Sequence, residues 1–394
     1  MAAPAAPRTG RLVGLDVARC LALLGMVATH VLDARDPDGT ISAAQWLAGG
    51  RASALFAVLA GVSIALVTGR REPVRGRAGW ALRGGLVVRA LLVAGLGLLL
   101  GIPDSGLAVI LTYYGVLFLL ALPFTGLRTG PLLWLAVGWV LVAPVVSHLL
   151  RPHLPERGVE SPQPDQLGSP GRLLSELLLT GYYPALPWLA YVLLGLAIGR
   201  ADLASRRVQA LLAGVGLAVA VAATQVSHAL TRQADVVAGL LRDRPDLDGG
   251  PALLDEISTG MYGNPPRDGS SDWLLVVAPH SSTPFDLAQT MGSAALVIGA
   301  CLLVVGTLGR VATRATAIVF GAGTMTLTLY SLHVLLHTED VWPPDDAAGF
   351  GRHVAVLVVI GAVFVAGGLR GPLERLVSAA AGAVSRRLAG ARPS

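Results

Sequence analysis

The chain has 394 residues, 53% of them hydrophobic and only 14% charged, with a formal net charge of +5. A mean hydropathy of +0.64 excludes an ordinary soluble domain and fits a multi-span membrane protein. The cationic excess is not a nucleic-acid signal, because the arginines cluster in short loops between apolar runs.

All 30 cationic residues are arginine, the compositional mark of a GC-rich, bacterial gene. Cys20 and Cys301 fall in apolar runs and give neither a disulfide framework nor metal-ligand spacing. No metal is expected.

The first apolar run, RLVGLDVARCLALLGMVATH, is the stretch around which the rest is organised. It reads as a retained first helix and not a cleaved leader, because Asp16 and Arg19 interrupt it and many spans follow. Asp16 and Arg19 stand at i and i+3 and can pair on one face. Arg19 and His30 are separated by about three turns, so they return to nearly the same face roughly 16 Å apart. Charge inside a membrane is costly and usually faces a protein interior or a wet cavity. The stripe is therefore expected to line the working cavity. The plainer reading of His30 alone is an interfacial histidine bonded to water or a carbonyl.

Further spans are expected near 50–68, 84–102, 106–124, 130–149, 183–199, 207–227, 285–307, 315–336 and 351–369, which makes about ten transmembrane helices. The fold class is an all-α integral membrane protein. Loop charges set its orientation. Arg8 and Arg11, the group Arg70 to Arg83, Arg128, the group Arg200 to Arg207, Arg310 and Arg314, and Arg375 to Arg392 mark one side. Asp33, Asp36, Asp38, Glu339, Asp340, Asp345 and Asp346 mark the other. The positive-inside rule puts both termini in the cytoplasm, in a bacterial cytoplasmic membrane. Long extracytoplasmic loops are expected at about 150–182 and 228–284, the second with an amphipathic piece, ALTRQADVVAGLLRD. No repeat or separate soluble domain is evident, so 1–394 reads as a single transmembrane unit.

Four further constellations stand out. Loop residues 69–85, with Arg70 and Arg71, either hold that loop in the cytoplasm or meet a phosphate-rich cofactor. In TGYYPALPWLAYVLLG, Tyr183 and Trp188 bracket the start of a span; they form an aromatic belt at the interface or shape an acceptor site. In APHSSTPFD, His280 precedes a span and the hydroxyls suit a helix cap. Thr326, Tyr330, His333 and His337 share one helical face, which is either polar packing between helices or the wall of a wet cavity. No phosphate-binding loop, dinucleotide fingerprint, HExxH or GxSxG is present.

RLVGLDVARCLALLGMVATH followed by RASALFAVLAGVSIAL resembles the opening of the heparan-α-glucosaminide N-acetyltransferase family and its bacterial relatives. The matching positions are Asp16, Arg19, Phe56, Gly61 and Ser63. The Arg-x10-His spacing of Arg19 and His30 is also similar to that of the membrane O-acyltransferases of acyltransferase family 3. LTYYGVLFLLA, YYPALPWLAYVLLGLAIGR, HSSTPFD and MTLTLYSLHVLL look like later blocks of the bacterial members. The resemblance implies an acyltransferase in the lipid bilayer that takes an acetyl or short acyl group from cytoplasmic acyl-CoA. It would deliver the group to an amino or hydroxyl group of an extracytoplasmic sugar, glycan or glycolipid, and it leaves a homodimer open. His30 matches the catalytic position of the Arg-x10-His group. The lysosomal enzyme has an asparagine there and its proposed active histidine in the following loop, whereas residues 31–49 here hold no histidine. The role then falls to His30, His280 or His333.

The chemistry asks for a base or nucleophile, which imidazole supplies near neutral pH, and for an oxyanion donor, which Tyr330 or another hydroxyl could supply. Arg19, Asp16, Arg70 and Arg71 are the candidates for the donor end. Tyr330, Trp188 and Tyr183 are the candidates for the acceptor. Two other classes remain: a proton-coupled secondary transporter, which also needs intramembrane Asp, Arg and His, and a structural partner within the envelope.

Overall fold

The computed structural model describes residues 12–158, 161–342 and 349–390. Arg8, Arg11, Asp345, Asp346 and Arg392, used above for orientation, lie outside them. The described residues are helical apart from connections and one isolated bridge between Arg35 and Ile41.

The helices run in order from α1 (Val13–Val31), α2 (Ala43–Ala48), α3 (Arg51–Val67) and α4 (Gly76–Leu100) to α5 (Leu111–Ala121) and α6 (Thr129–Leu150). There follow α7 (Pro170–Ser175), α8 (Ala185–Arg200), α9 (Arg206–Leu230), α10 (Ala234–Arg242) and α11 (Gly250–Ile257). The last are α12 (Pro284–Thr307), α13 (Arg310–Val319), α14 (Thr326–Leu336), α15 (Gly349–Ala366) and α16 (Pro372–Ala389).

Among the described residues, seven helical segments are long and apolar enough to cross a membrane, and eight if the bent pair Pro170–Thr180 and Ala185–Arg200 is one span. The apolar segments Leu111–Gly126 and Thr326–Leu336 are shorter. The expected span at 315–336 is not one helix. It breaks between α13 and α14 at Gly321–Thr324. A Cβ on Gly323 would stand 1.8 Å from the carbonyl oxygen of Asp16, so this turn packs directly on α1. Glycine weakens a helix and permits such an approach, which is why the chain bends here. Beyond the last expected span lies α16, an amphipathic helix packed along α4.

The burial pattern is the inverse of a soluble protein's. Trp134, Leu141, Val142, Val215, Val359 and Val363 are exposed apolar residues on long helices, as a lipid-facing surface requires. The central helix α8 is buried along nearly its whole length. It crosses α3 where Gly61 meets Gly195, and a Cβ on Gly195 would lie 2.0 Å from the carbonyl of Val58. Small residues at such crossings let backbones approach in lipid.

The two ends of the bundle differ. At one end the arginine-rich connections come together: Arg71 pairs with Asp202, and Arg83 donates to Thr125. Arg200, read from sequence as a topological charge, is buried; it donates to the carbonyls of Ala65, Thr68, Arg70 and Thr125 and to the Thr68 hydroxyl. It ties three connections into one.

At the other end the two long loops fold together into a cap. Its own apolar core holds Val236, Leu240, Leu253, Ile257, Trp273 and Val276. The amphipathic piece forms α10. Arg267 donates to the carbonyls of Arg151, Pro152 and Leu154, and Asn264 to those of Leu179 and Gly181. Gln45 reaches the carbonyls of Ser258 and Thr259, which seats α2 under the cap.

Candidate active site

Helix α1 carries polar groups near both ends, each meeting a different set of neighbours. Near its start, Arg19 Nη1 lies 3.0 Å from Asp16 Oδ1, the i,i+3 pair expected from the spacing. Its other nitrogen donates to Ser63 Oγ on α3 at 3.0 Å. The Asp-x-x-Arg stretch of α1 and the Gly-x-Ser stretch of α3, apart in sequence, are thus joined by one guanidinium.

Arg19 and Ser63 line a cavity of about 180 Å³ between α1, α3, α4, α5, α14 and α16. Phe56, Tyr114 and Phe118 supply its aromatic wall, and Arg89, Thr326, Glu374 and Ser378 its remaining polar rim. Glu374 accepts from the Leu327 and Thr328 backbone N–H groups and the Thr328 hydroxyl, capping α14. Arg89 donates to Ser378 Oγ at 3.3 Å. Neither Arg89 nor Glu374 stood out in the sequence. Arg70 and Arg71 do not reach this cavity. They line a separate surface hollow with Asp202 and Gly199.

From the cavity, α14 leads to the far end of α1. Thr326 is on the cavity wall, Tyr330 follows one turn on, and His333 is about 10 Å further along the axis than Thr326. Tyr330 is buried and its oxygen accepts from the Ile110 N–H, which leaves its own hydrogen to donate elsewhere. His333 Nε2 lies 3.0 Å from His30 Nδ1, and the two ring planes are within 6° of parallel. The other nitrogen of His333 lies 3.0 Å from Nδ1 of His353 on α15. His337, at the end of α14, places its nitrogens 2.9 Å from the Ser105 carbonyl and 3.2 Å from the His30 carbonyl. His30 is half-buried and its Nε2 is bonded to no described residue.

Of the sequence stripe, His333 and His337 therefore meet His30, whereas Tyr330 meets the Ile110 N–H. His353 was missed. The only local signal is a histidine in the first turn of an apolar run, which also describes many interfacial residues.

His280 stands apart from this cluster by hydrogen bonding. Its ring contacts Tyr182, Tyr183 and Trp188, at 5.1, 5.6 and 6.4 Å between centroids. Trp188 donates to Ser282 Oγ. Trp188 and Tyr183 are buried inside the protein, so they do not form a belt at the lipid interface. Arg157 lies over both Tyr182 and the exposed Tyr262, closing an aromatic rim under the cap. His280 and Ser282 both have left-handed backbone, φ 56° and 54°, at a cost of about 1–2 kcal/mol each. The strain is held by bonds from Met261 N–H to the Pro279 carbonyl, from Gly263 N–H to the His280 carbonyl, and from Ser282 N–H to Asp286. His280 Nδ1 is enclosed without a hydrogen-bond partner among the described residues, and burial pushes its pKa down to about 4.

A family model described as heparan-alpha-glucosaminide N-acetyltransferase, catalytic, matches residues 11–232. The chain belongs to that family. No curated protein is matched by the chain. The N-acetyltransferase match spans α1 to α9 and includes Asp16, Arg19, His30, Ser63, Tyr183 and Trp188. His280, His333, His337 and His353 come from beyond it. Taken with the apolar helices, membership makes this chain a multi-pass membrane protein of an acetyltransferase family.

Proposed function

We propose that the chain transfers an acetyl or short acyl group from acyl-CoA to an amino or hydroxyl group of a sugar, glycan or glycolipid on the opposite side of a bacterial cytoplasmic membrane. The observation that carries this is the layout of α1. Arg19 lines an apolar cavity at the arginine-rich end, and His30, with one nitrogen held and the other unengaged, stands roughly 16 Å away toward the cap.

The cavity is smaller than the roughly 300–1,000 Å³ of sites that swallow a whole drug-sized ligand. It suits the narrow acylated arm of CoA, with the nucleotide left outside among arginines. By the positive-inside rule that end is cytoplasmic, and both termini are there if α5, α8 and α14 each complete a crossing, for about ten in all. Arg19 and Arg89 would receive the polar part of the arm. Arg70 and Arg71, outside the cavity, would serve only the outer phosphates.

At the cap end His30 Nε2 would take the proton of the acceptor, or attack the thioester carbon itself. The Tyr330 hydroxyl is the donor available to the oxyanion. Tyr182 and the exposed Tyr262 offer the flat apolar faces on which sugar rings stack, backed by the buried Tyr183 and Trp188, with His280 set among them.

The test is turnover of radiolabelled acetyl-CoA by purified protein in detergent, with glucosamine as acceptor, beside His30→Ala, His280→Ala and His333→Ala. CoA release lost with His30→Ala and kept with His280→Ala supports the assignment. Label held on the wild-type protein without acceptor would add an acyl-histidine. No CoA release across a range of donors and acceptors would overturn the reading in favour of proton-coupled transport.

A further inference from the structure

Three imidazoles lie in series at the cap end. His30 Nδ1 meets His333 Nε2 at 3.0 Å, and His333 Nδ1 meets His353 Nδ1 at 3.0 Å. Both nitrogens of His333 are thereby engaged, and the residue is sealed from solvent. It cannot touch a substrate without giving up one of these bonds. The series has two unbonded ends, His30 Nε2 and His353 Nε2, neither bonded to a described residue, with His353 itself only 1% exposed. Each comes from a different helix, α1 and α15, with α14 between.

We infer that His30, His333 and His353 form a proton relay, in which His353 is a positioning residue that sets the tautomer of His30 through His333. This rests on the acyltransferase reading for its purpose, though not for its existence.

The logic is one of hydrogen counting. Each nitrogen-to-nitrogen contact needs one hydrogen between two ring nitrogens, and a neutral imidazole carries one. With all three rings neutral, only two arrangements satisfy both contacts. In the first, His30 donates from Nδ1 to His333, and His333 donates from Nδ1 to His353. His30 Nε2 then bears a lone pair, and His353 Nε2 bears a hydrogen. In the second, both bonds run the other way, and His30 Nε2 bears the hydrogen. The series therefore presents His30 as a base or as an acid, and never as both.

The transfer balances accordingly. The acceptor N–H or O–H bond breaks and its proton goes to His30 Nε2, while the acceptor nitrogen or oxygen bonds to the acyl carbon. The His30 Nδ1 proton passes to His333 Nε2, the His333 Nδ1 proton passes to His353 Nδ1, and His353 Nε2 releases its proton to water. The C–S bond breaks and its electron pair stays on the CoA sulfur. The series resets when His30 Nε2–H protonates that thiolate and His353 Nε2 takes a proton back from water. Net, the acceptor proton ends on CoA.

The remaining titratable neighbours are His337, whose ring centre is 5.8 Å from that of His333 and 6.0 Å from that of His353, and His280, close enough to His30 to be felt electrostatically. His337 faces two backbone carbonyls and so sits beside the relay without joining it. Trp342 packs its ring against His353 edge to face.

Two measurements test the relay independently of each other. The first is activity of His353→Phe, which keeps a ring of similar size, beside His353→Gln. The expected result is a normal size-exclusion profile, unchanged KM for acetyl-CoA and kcat lowered about tenfold to a hundredfold, less than the roughly hundredfold to ten-thousandfold worth of a base that meets the substrate itself. The solvent isotope effect should change from a multi-proton to a single-proton inventory. Wild-type kcat with an unchanged inventory in both variants would overturn the relay. The second uses wild-type protein carrying 15N-histidine. Couplings across two N–H···N bonds are expected by NMR, one shared by His30 and His333 and one by His333 and His353, each lost in His353→Phe or His30→Ala accordingly. Their absence in wild type overturns the relay even if turnover is robust. Their presence in a protein that releases no CoA would keep the relay and discard the acyltransferase reading.

Discussion

The histidine series and the His280 niche are both built at the cap end, yet they are positioned by opposite means. His30, His333 and His353 are oriented by bonds between their own rings, so each fixes its neighbour's hydrogen. His280 has no partner at Nδ1 among the described residues. Strained backbone and three aromatic rings hold it instead. A site for moving protons must specify where hydrogens are. A site for recognising a ring needs only a rigid surface. The difference separates chemistry from binding, and several experiments can break or sharpen it.

The largest effect is expected at His30. His30→Ala should lower kcat by about a hundredfold to ten-thousandfold, with acetyl-CoA binding by calorimetry unchanged. Retained turnover would move the chemistry to the His280 niche.

Arg19→Ala comes next. It takes the Arg19 guanidinium away from Asp16, only 6% exposed, and from Ser63, which keeps its bond to the Leu59 carbonyl. Because Arg19 is partly exposed, the stability loss should be about 2 kcal/mol, below the roughly 3–5 kcal/mol of a fully buried pair. KM for acetyl-CoA should rise by about tenfold or more, while Arg71→Ala, whose pair with Asp202 is exposed, should change it by less than about threefold. Equal effects of the two would sink the division between cavity and surface hollow.

A smaller effect is expected at the niche. His280→Phe should raise KM for the sugar several-fold and leave the solvent isotope effect untouched. Tyr262→Ala, at an exposed rim position, should do the same more weakly. A changed proton inventory in His280→Phe would merge the two sites into one.

The smallest is a slope with pH. The folded-state pKa of His280 is about 4, below the ordinary value near 6.5. Unfolding therefore lets the ring take up a proton below about 6.5 that the folded niche refuses. The stability this contributes is fully present above about pH 6.5 and is lost as pH falls toward 4. Thermal melts between pH 4.5 and 7.5 should show a gentler acid-side decline for His280→Phe than for wild type. Parallel curves would show that the ring is not held neutral.

The sequence made one face of α1 legible, because a helix repeats every 3.6 residues and the face is a local property. The Asp16–Arg19 pair, the shared face of Tyr330, His333 and His337, and the amphipathic α10 all follow from that period. Other expectations needed more than the period. The span expected at 315–336 breaks because Gly321 and Gly323 meet α15 and α1, which no local pattern shows. Trp188 and Tyr183 look like a membrane belt in sequence, yet a belt and a buried cluster have the same composition.

The sequence by itself determined that the chain is helical, apolar and membrane-bound, and which polar groups share a face. Only the tertiary structure decided which faces meet. The contact of His333 with His30, 303 residues away in the chain, and with His353 depends on the register of α1, α14 and α15, and the join of Arg19 to Ser63 on that of α1 and α3. Helical period is set by backbone geometry within a few residues. Register between helices is set by side-chain packing across the whole bundle, which is why Arg200 reads as a loop charge until the carbonyls it holds are seen around it.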